Sequence, residues 1–409
     1  MEKGNRLTNK IIWLLTCCLF AFFVIFRVYL WGKYFLLATS LAILFLSTFG
    51  NGGKIFIKIQ SYHVYIFAFI AYAFISSLWA WNSADSIERT TTMLLILVCA
   101  SMVYCHYIRF DDVHQLLTAI MWAGFAVSIY TLSYYGFSTV IEALTSVRLG
   151  SSFANVNTIA QFLAVTCIIQ FSEIVNKRRK MSAVLMMLPE IIVIAATQSR
   201  MPLVVLFLGI TGIYFFNNFE SKNARKTIKT IFVVVLIALV IIYIVFNVPA
   251  FSGIQKRLTG LLNSFYGSGD VDGSTSERNE MIALGWEYFL KNPIVGIGIG
   301  CSHIISGQHL GNDTYLHNNF VELLCGGGAM GFLIFYSRYI YLFYNLFKYR
   351  RVDKEHFSIC FVLLFVMFIS DWGTVSYYDK LSNYYFILQF LNIEYLKRKS
   401  RINKRHEYC

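Results

Sequence analysis

Apolar runs of bilayer length recur along nearly the whole chain, and they limit its fold more than any other feature. A helix crosses the hydrocarbon core of a membrane in roughly 20 residues. On that rule about twelve spans are predicted: 11–28, 33–50, 62–81, 90–107, 113–135, 157–175, 181–197, 201–217, 230–248, 317–346, 357–375 and 381–397. Of the 409 residues, 57% are hydrophobic and only 14% charged, against roughly 25% charged in soluble domains. So few charges cannot cover the apolar side chains, so lipid must cover them. The predicted fold class is an all-α integral membrane protein of about twelve transmembrane helices. The run 11–28 follows Lys3, Arg6 and Lys10, as a signal peptide would. No small-residue cleavage site follows it, so it is read as a retained helix.

Charge sets the orientation. With both termini inside, the inner segments hold 24 of the 35 lysines and arginines. Each inner segment carries at least one, as the positive-inside rule requires. The formal charge of +13 then reflects inner loops facing a cytoplasm, and nucleic acid is not a predicted partner. Nine cysteines are scattered without a CxxC pair, which predicts free thiols. The division follows: 1–248 is an N-terminal bundle of about nine helices, 249–316 a large outer loop, and 317–409 the last helices with a basic cytoplasmic tail.

The outer loop is where chemistry is expected. From Ser274 to Gly331 the chain forms its largest polar island and holds His303, His309 and His317. Ser274 and Glu277 have capping-box spacing, so a helix is predicted to start there. It should end near Lys291, because Asn292 precedes Pro293. Ile282, Trp286, Phe289 and Leu290 give it an apolar face suited to lying on a membrane. The next helix is predicted to begin near His317, beside Asn318 and Asn319. Its Gly326-Gly327-Gly328 run allows close packing or a break. Glu322, about 140° around the helix from His317, is not expected to orient that ring.

Basic residues on the outer side go against the charge rule, so they are informative. Arg89, Lys256, Arg257 and Lys291 can be read equally as interfacial side chains reaching for water. Arg148, Arg200 and Arg278 have more distinctive settings. Arg148 lies in the turn-rich stretch SVRLGSSFANVNTIAQ, where Asn157 is the predicted cap of the next helix. Arg200 lies in TQSRMP, between two spans with almost no loop. Arg278 sits in the first turns of its helix, where the dipole disfavours a cation unless an anion is bound. Gly296-Ile297-Gly298-Ile299-Gly300 is read as a tight turn, since no βαβ unit surrounds it. Asp270-Val271-Asp272 is a D-x-D of the kind that holds a metal in nucleotide-sugar transferases. It lies on the side without nucleotides, so no metal is assigned.

Together the stretches SSLWAWNSADSIERT (76–90), RLGSSFANVNTIAQFLA (148–164), ATQSRMPLVVLFLGI (196–210), SERNEMIALGWEYFLKNPIVGIGIG (276–300) and HNNFVELLCGGGAMG (317–331) resemble the bacterial O-antigen ligase/polymerase superfamily. They cover most of the chain in the expected order. The resemblance implies a GT-C-type, metal-independent glycosyltransferase without cofactor, in the bacterial cytoplasmic membrane. It implies a glycan donor on undecaprenyl pyrophosphate and a lipid-linked glycan acceptor. Outer-face arginines, here Arg148, Arg200 and Arg278, would hold the pyrophosphate. His317, supported by Asn318, would assist the acceptor hydroxyl. Polymerisation of lipid-linked repeat units is the expected reaction. Ligation to lipid A-core is the alternative within the class, and a lipid-linked oligosaccharide flippase the alternative from another. Further expected partners are the lipid bilayer and polysaccharide assembly proteins such as a flippase and a chain-length regulator.

Overall fold

A computed structural model describes residues 6–26, 31–50, 52–110, 113–219, 224–266 and 273–407. All regular secondary structure among them is helical. Each of the twelve predicted runs coincides with a long helix: α1 Arg6–Ile25, α2 Gly32–Phe49, α3 Ser61–Ser76, α4 Ser83–Phe110, α5 Val113–Tyr135, α7 Val156–Val175, α8 Lys180–Ala196, α9 Arg200–Asn218, α10 Ala224–Asn247, α14 Asn319–Lys348, α15 Lys354–Ser370 and α16 Lys380–Glu407. Short or polar helices fill the connections: α6 Phe137–Glu142, α11 Ser252–Tyr266, α12 Gly273–Lys291 and α13 Ser302–Leu310. Among the described residues, seven helices are long and apolar enough to cross a membrane by length and composition. One large apolar core draws on helices from both ends of the chain, from Ile12 to Leu396.

Contacts sort the connecting segments to two ends of the bundle, in the alternation that the charge pattern predicts. At one end Arg109 Nη1 donates to the Ser47 carbonyl, Lys354 Nζ to that of Phe219 and Arg398 Nη2 to that of Ile108. Acidic partners meet basic ones there: Arg178 pairs with Glu355 and Lys399 with Asp353. At the other end, Trp81 N donates to Ile297 O at 3.0 Å, Asn319 N to Asp371 O at 2.8 Å, and Gln198 Nε2 to the carbonyls of Ala143 and Ser146. The large loop, the α3–α4 connection, the α8–α9 turn and the α15–α16 connection therefore gather at one place.

Local details correct several expectations. The N-cap of α7 is Asn155, whose side chain accepts from Asn157 N. Asn157 instead accepts from Ser199 Oγ at 2.9 Å, tying α7 to the α8–α9 turn. Helix α12 ends at Lys291, where Asn292-Pro293 predicts. Its start is described from Gly273, and the side chain of Ser274 lies outside the described residues, as does the Asp270-Asp272 pair. Met281 and Gly285 face the protein, and a Cβ on Gly285 would lie 2.5 Å from Leu316 Cδ1. Trp286 and Leu290, on the predicted apolar face, stay exposed at 47% and 62%.

Candidate functional site

Helix α14 is broken at Gly328, whose φ of 61° and ψ of −168° interrupt the helical ladder. The segment after α12 satisfies the groups this frees. Ile297 N donates to Cys325 O and Gly298 N to Gly326 O, while Ala329 N donates to Pro293 O and Met330 N to Ile294 O, all within 2.8–3.1 Å. Backbone packed this closely leaves no room for side chains: a Cβ on Gly328 would sit 2.3 Å from Ile294 O, and one on Gly296 2.5 Å from Gly326 C. The glycines of the predicted turn and of the predicted break are thus one device. It holds the loop that follows α12 rigidly against the first half of α14.

His317 stands immediately before that helix. The helix itself begins at Asn319, with Asn318 as N-cap, so His317 lies outside it. Asn318 Oδ1 accepts from Phe320 N at 3.0 Å and Val321 N at 3.1 Å, so its acceptor is committed to capping. His317 is left-handed, with φ 56°, a conformation that costs a non-glycine residue roughly 1–2 kcal/mol. Anchors on both sides hold it there. Leu316 N donates to Glu322 Oε2 at 2.9 Å, and Asn319 N donates to Asp371 O. Glu322 is buried, and it also accepts from Ser302 Oγ. As expected it does not orient the imidazole, but it fixes the backbone beside it. Asp371, also buried, accepts from Tyr336 Oη at 2.9 Å, and Asn319 Oδ1 accepts from Ser376 N and Tyr377 N.

The surroundings of His317 disfavour its protonated form. Burial, and next the charge of Arg278, push its pKa down from 6.5 to about 4, against the opposing pull of Glu277. The ring is therefore neutral near pH 7. Neither of its nitrogens is hydrogen-bonded to a described residue, and its ring packs 4.4 Å from that of Tyr315. Arg278 makes no ion pair among the described residues, although Glu277 beside it accepts from Asn312 Nδ2 at 2.7 Å. A cation left without an acid at the start of a helix is a good anion seat.

The other two predicted arginines form a second group. Leu149 N donates to Ala196 O at 3.3 Å, which lays the Arg148 segment on the α8–α9 turn that leads into Arg200. Gln198 in that turn is left-handed, with φ 49°, and its carbonyl accepts from Arg257 Nη1 at 3.4 Å. Arg148 and Arg200 are both half-buried. The segment 371–378 touches both groups: it carries the Asp371 anchor of Asn319, and a Cβ on Gly373 would lie 2.9 Å from Met201 Cε. The structure thus brings Arg278 to His317, and the Arg148 segment to the turn of Arg200, with Arg257 as an added cation.

Sequence reasoning missed Glu322 and Asp371 as anchors. The available signal was an acid inside, or at the end of, an apolar run, which is costly unless it has a task. It also missed a polar cavity on the far side of Tyr315, lined among others by Asp85, Arg89, His303, Asp313 and Tyr378.

This is the architecture of an α-helical membrane protein with a basic, histidine-bearing site at one end. Residues 181–336, from α8 into α14, match the family model described as O-antigen ligase, which supports the resemblance to the O-antigen ligase/polymerase superfamily over that region. The matched region contains Arg200, Arg278, His317 and Asn318. It supports ligase- or polymerase-type, glycosyltransferase-like activity. No curated protein matches the chain.

Proposed function

We propose that the protein is a polysaccharide polymerase of the cytoplasmic membrane. It transfers a growing glycan from undecaprenyl pyrophosphate to a lipid-linked repeat unit on the outer face. The observation that carries this reading is a neutral His317 held beside Arg278 within a segment that matches the O-antigen ligase family. Pyrophosphate is a good leaving group, and charge develops on it as the glycosidic bond breaks. Guanidinium forks on Arg278 and Arg200 match its oxygens, with Arg148 at the rim. His317 takes the proton of the attacking hydroxyl. Neither step calls for a metal or cofactor.

The matched family supports ligase- and polymerase-type activity alike, so ligation of finished polymer to lipid A-core is the second reading. Deletion in a lipopolysaccharide-bearing host separates the two. A polymerase leaves core capped with a single repeat unit. A ligase leaves bare core while long lipid-linked polymer accumulates. Repeat units trapped on the cytoplasmic face would instead favour a flippase.

The topology has its own test. Cys18 is the exposed thiol among the described cysteines, so replacing it and Cys409 with serine leaves buried ones. Gln308 is exposed on α13, whereas Ser306 beside it is buried. In that background Gln308→Cys should react with an impermeant maleimide in cells whose inner membrane is intact. Labelling that waits until the cytoplasm is opened would reverse the orientation, and the mechanism with it.

A further inference from the structure

The polar cavity beside Tyr315 has a volume of about 320 Å³, within the range of small-molecule sites, about 300–1,000 Å³. Its walls come from α4, the 300–303 turn, the 313–315 segment and the α15–α16 connection, so it is assembled by tertiary contact. Its chemistry is mixed. Asp85, Glu88 and Asp313 offer carboxylate acceptors, and Arg89 and His303 offer donors. Arg89 lies over the Tyr378 ring, 4.4 Å from its centroid, which fixes the guanidinium while leaving edges free. His303 Nδ1 is 2.8 Å from Gly300 O, and its Nε2 is 3.2 Å from Asp85 Oδ2. Both ring nitrogens thus face oxygen acceptors within the cavity wall.

Acids outnumber cations in these walls, which repels a pyrophosphate. Interleaved acceptors and donors between two tyrosine rings suit a molecule with many hydroxyl groups. Tyr315 is the shared partition: it lines the cavity and its ring packs on that of His317. We infer that this cavity is the acceptor-sugar subsite, holding about one or two terminal sugar rings of the acceptor glycan so that a hydroxyl beyond Tyr315 meets His317. The assignment rests on the glycosyltransfer reading above.

The probe is the repeat-unit oligosaccharide freed of lipid and pyrophosphate by mild acid from the host's lipid-linked intermediates. Thr314 lines the cavity. In the full-length protein carrying Cys18→Ser and Cys409→Ser, Thr314→Cys is labelled with a maleimide at about 10 mM oligosaccharide, above the affinity of a weak single site. The oligosaccharide should slow labelling. Adding Asp85→Asn or Asp313→Asn should weaken protection about tenfold, the size expected for one charged hydrogen bond, and Arg278→Ala should leave it intact. Saturation-transfer NMR on the same variants without Thr314→Cys gives a second reading if that substitution disturbs the fold. Absence of protection and of saturation transfer in the parent overturns the subsite. So does binding indifferent to both acidic substitutions, or binding lost with Arg278→Ala. If protection behaves as expected while Arg278→Ala binds polyprenyl pyrophosphate normally, the cavity stands and the donor assignment fails.

Discussion

His303 and His317 lie in the same stretch between α12 and α14, a short distance apart in sequence, in opposite surroundings. His303 points both nitrogens at oxygen acceptors and has Asp85 and Asp313 around it. His317 has an arginine for its electrostatic neighbour, and no described residue bonds its nitrogens. The first faces oxygen acceptors in an acidic cavity, and the second stands neutral beside a cation. Residue type is the same in both; the charges that folding places next to each ring decide what it can do.

The largest effect that would sharpen this contrast is at His317 itself. His317→Ala should lower transfer about 10²–10⁴-fold, the usual contribution of general acid–base assistance, with polyprenyl pyrophosphate binding retained. His303→Gln should cost at most about tenfold, the scale of a binding hydrogen bond. Equal losses at the two positions, measured as polymer formed by purified protein, would erase the distinction.

Next in size is the cation. Arg278→Ala should weaken polyprenyl pyrophosphate binding about 10- to 100-fold, the range for a hydrogen bond to a charged group. Arg278→Lys should recover only part of it, because the ammonium keeps charge but loses the fork. Arg200 should follow the same order, with a smaller loss at Arg148. Unchanged affinity in all three alanine variants would remove the donor site, whatever happened to activity.

The smallest effect is a shift in pH dependence. A base with a pKa near about 4 keeps the reaction flat through neutrality, and activity falls only as pH drops toward that value. Removing the Arg278 charge raises the His317 pKa, so the acid limb measured on residual activity of Arg278→Ala should move to higher pH. Stability follows the same group. Unfolded, the ring binds its proton near 6.5, and folded only near about 4. The unfolded state therefore holds more protons between those values. The stability contributed is full above 6.5 and declines as pH falls through that window. An acid limb at the same pH in both proteins would break the link between His317 and Arg278.

Much of the molecule follows from local rules. The twelve runs predict the long helices because an apolar stretch of bilayer length has few other stable states. Asn292-Pro293 stops α12 through a steric clash that acts between neighbours. The alternation of basic segments anticipates which loops meet, because charge bias acts on each crossing in turn. His317, Arg200 and Arg278 could be singled out because charges and a histidine stand out against an apolar background.

Tertiary structure decided the rest. The cap of α7 moved from Asn157 to Asn155 because Asn157 is drawn to Ser199 on another helix. Glu322 was judged by its angle to the His317 ring, yet its partners are Ser302 and the Leu316 backbone, which a helical wheel does not contain. Gly296 and Gly328 could be read as a turn and a break, but not as halves of one interlocked crossing. The cavity between α4 and the 313–315 segment has no sequence signature, since its walls lie far apart along the chain. Helices come from interactions within a few residues and with the bilayer, and these a sequence carries in full. Which charge stands beside which histidine depends on packing between distant segments, and the folded chain settles it.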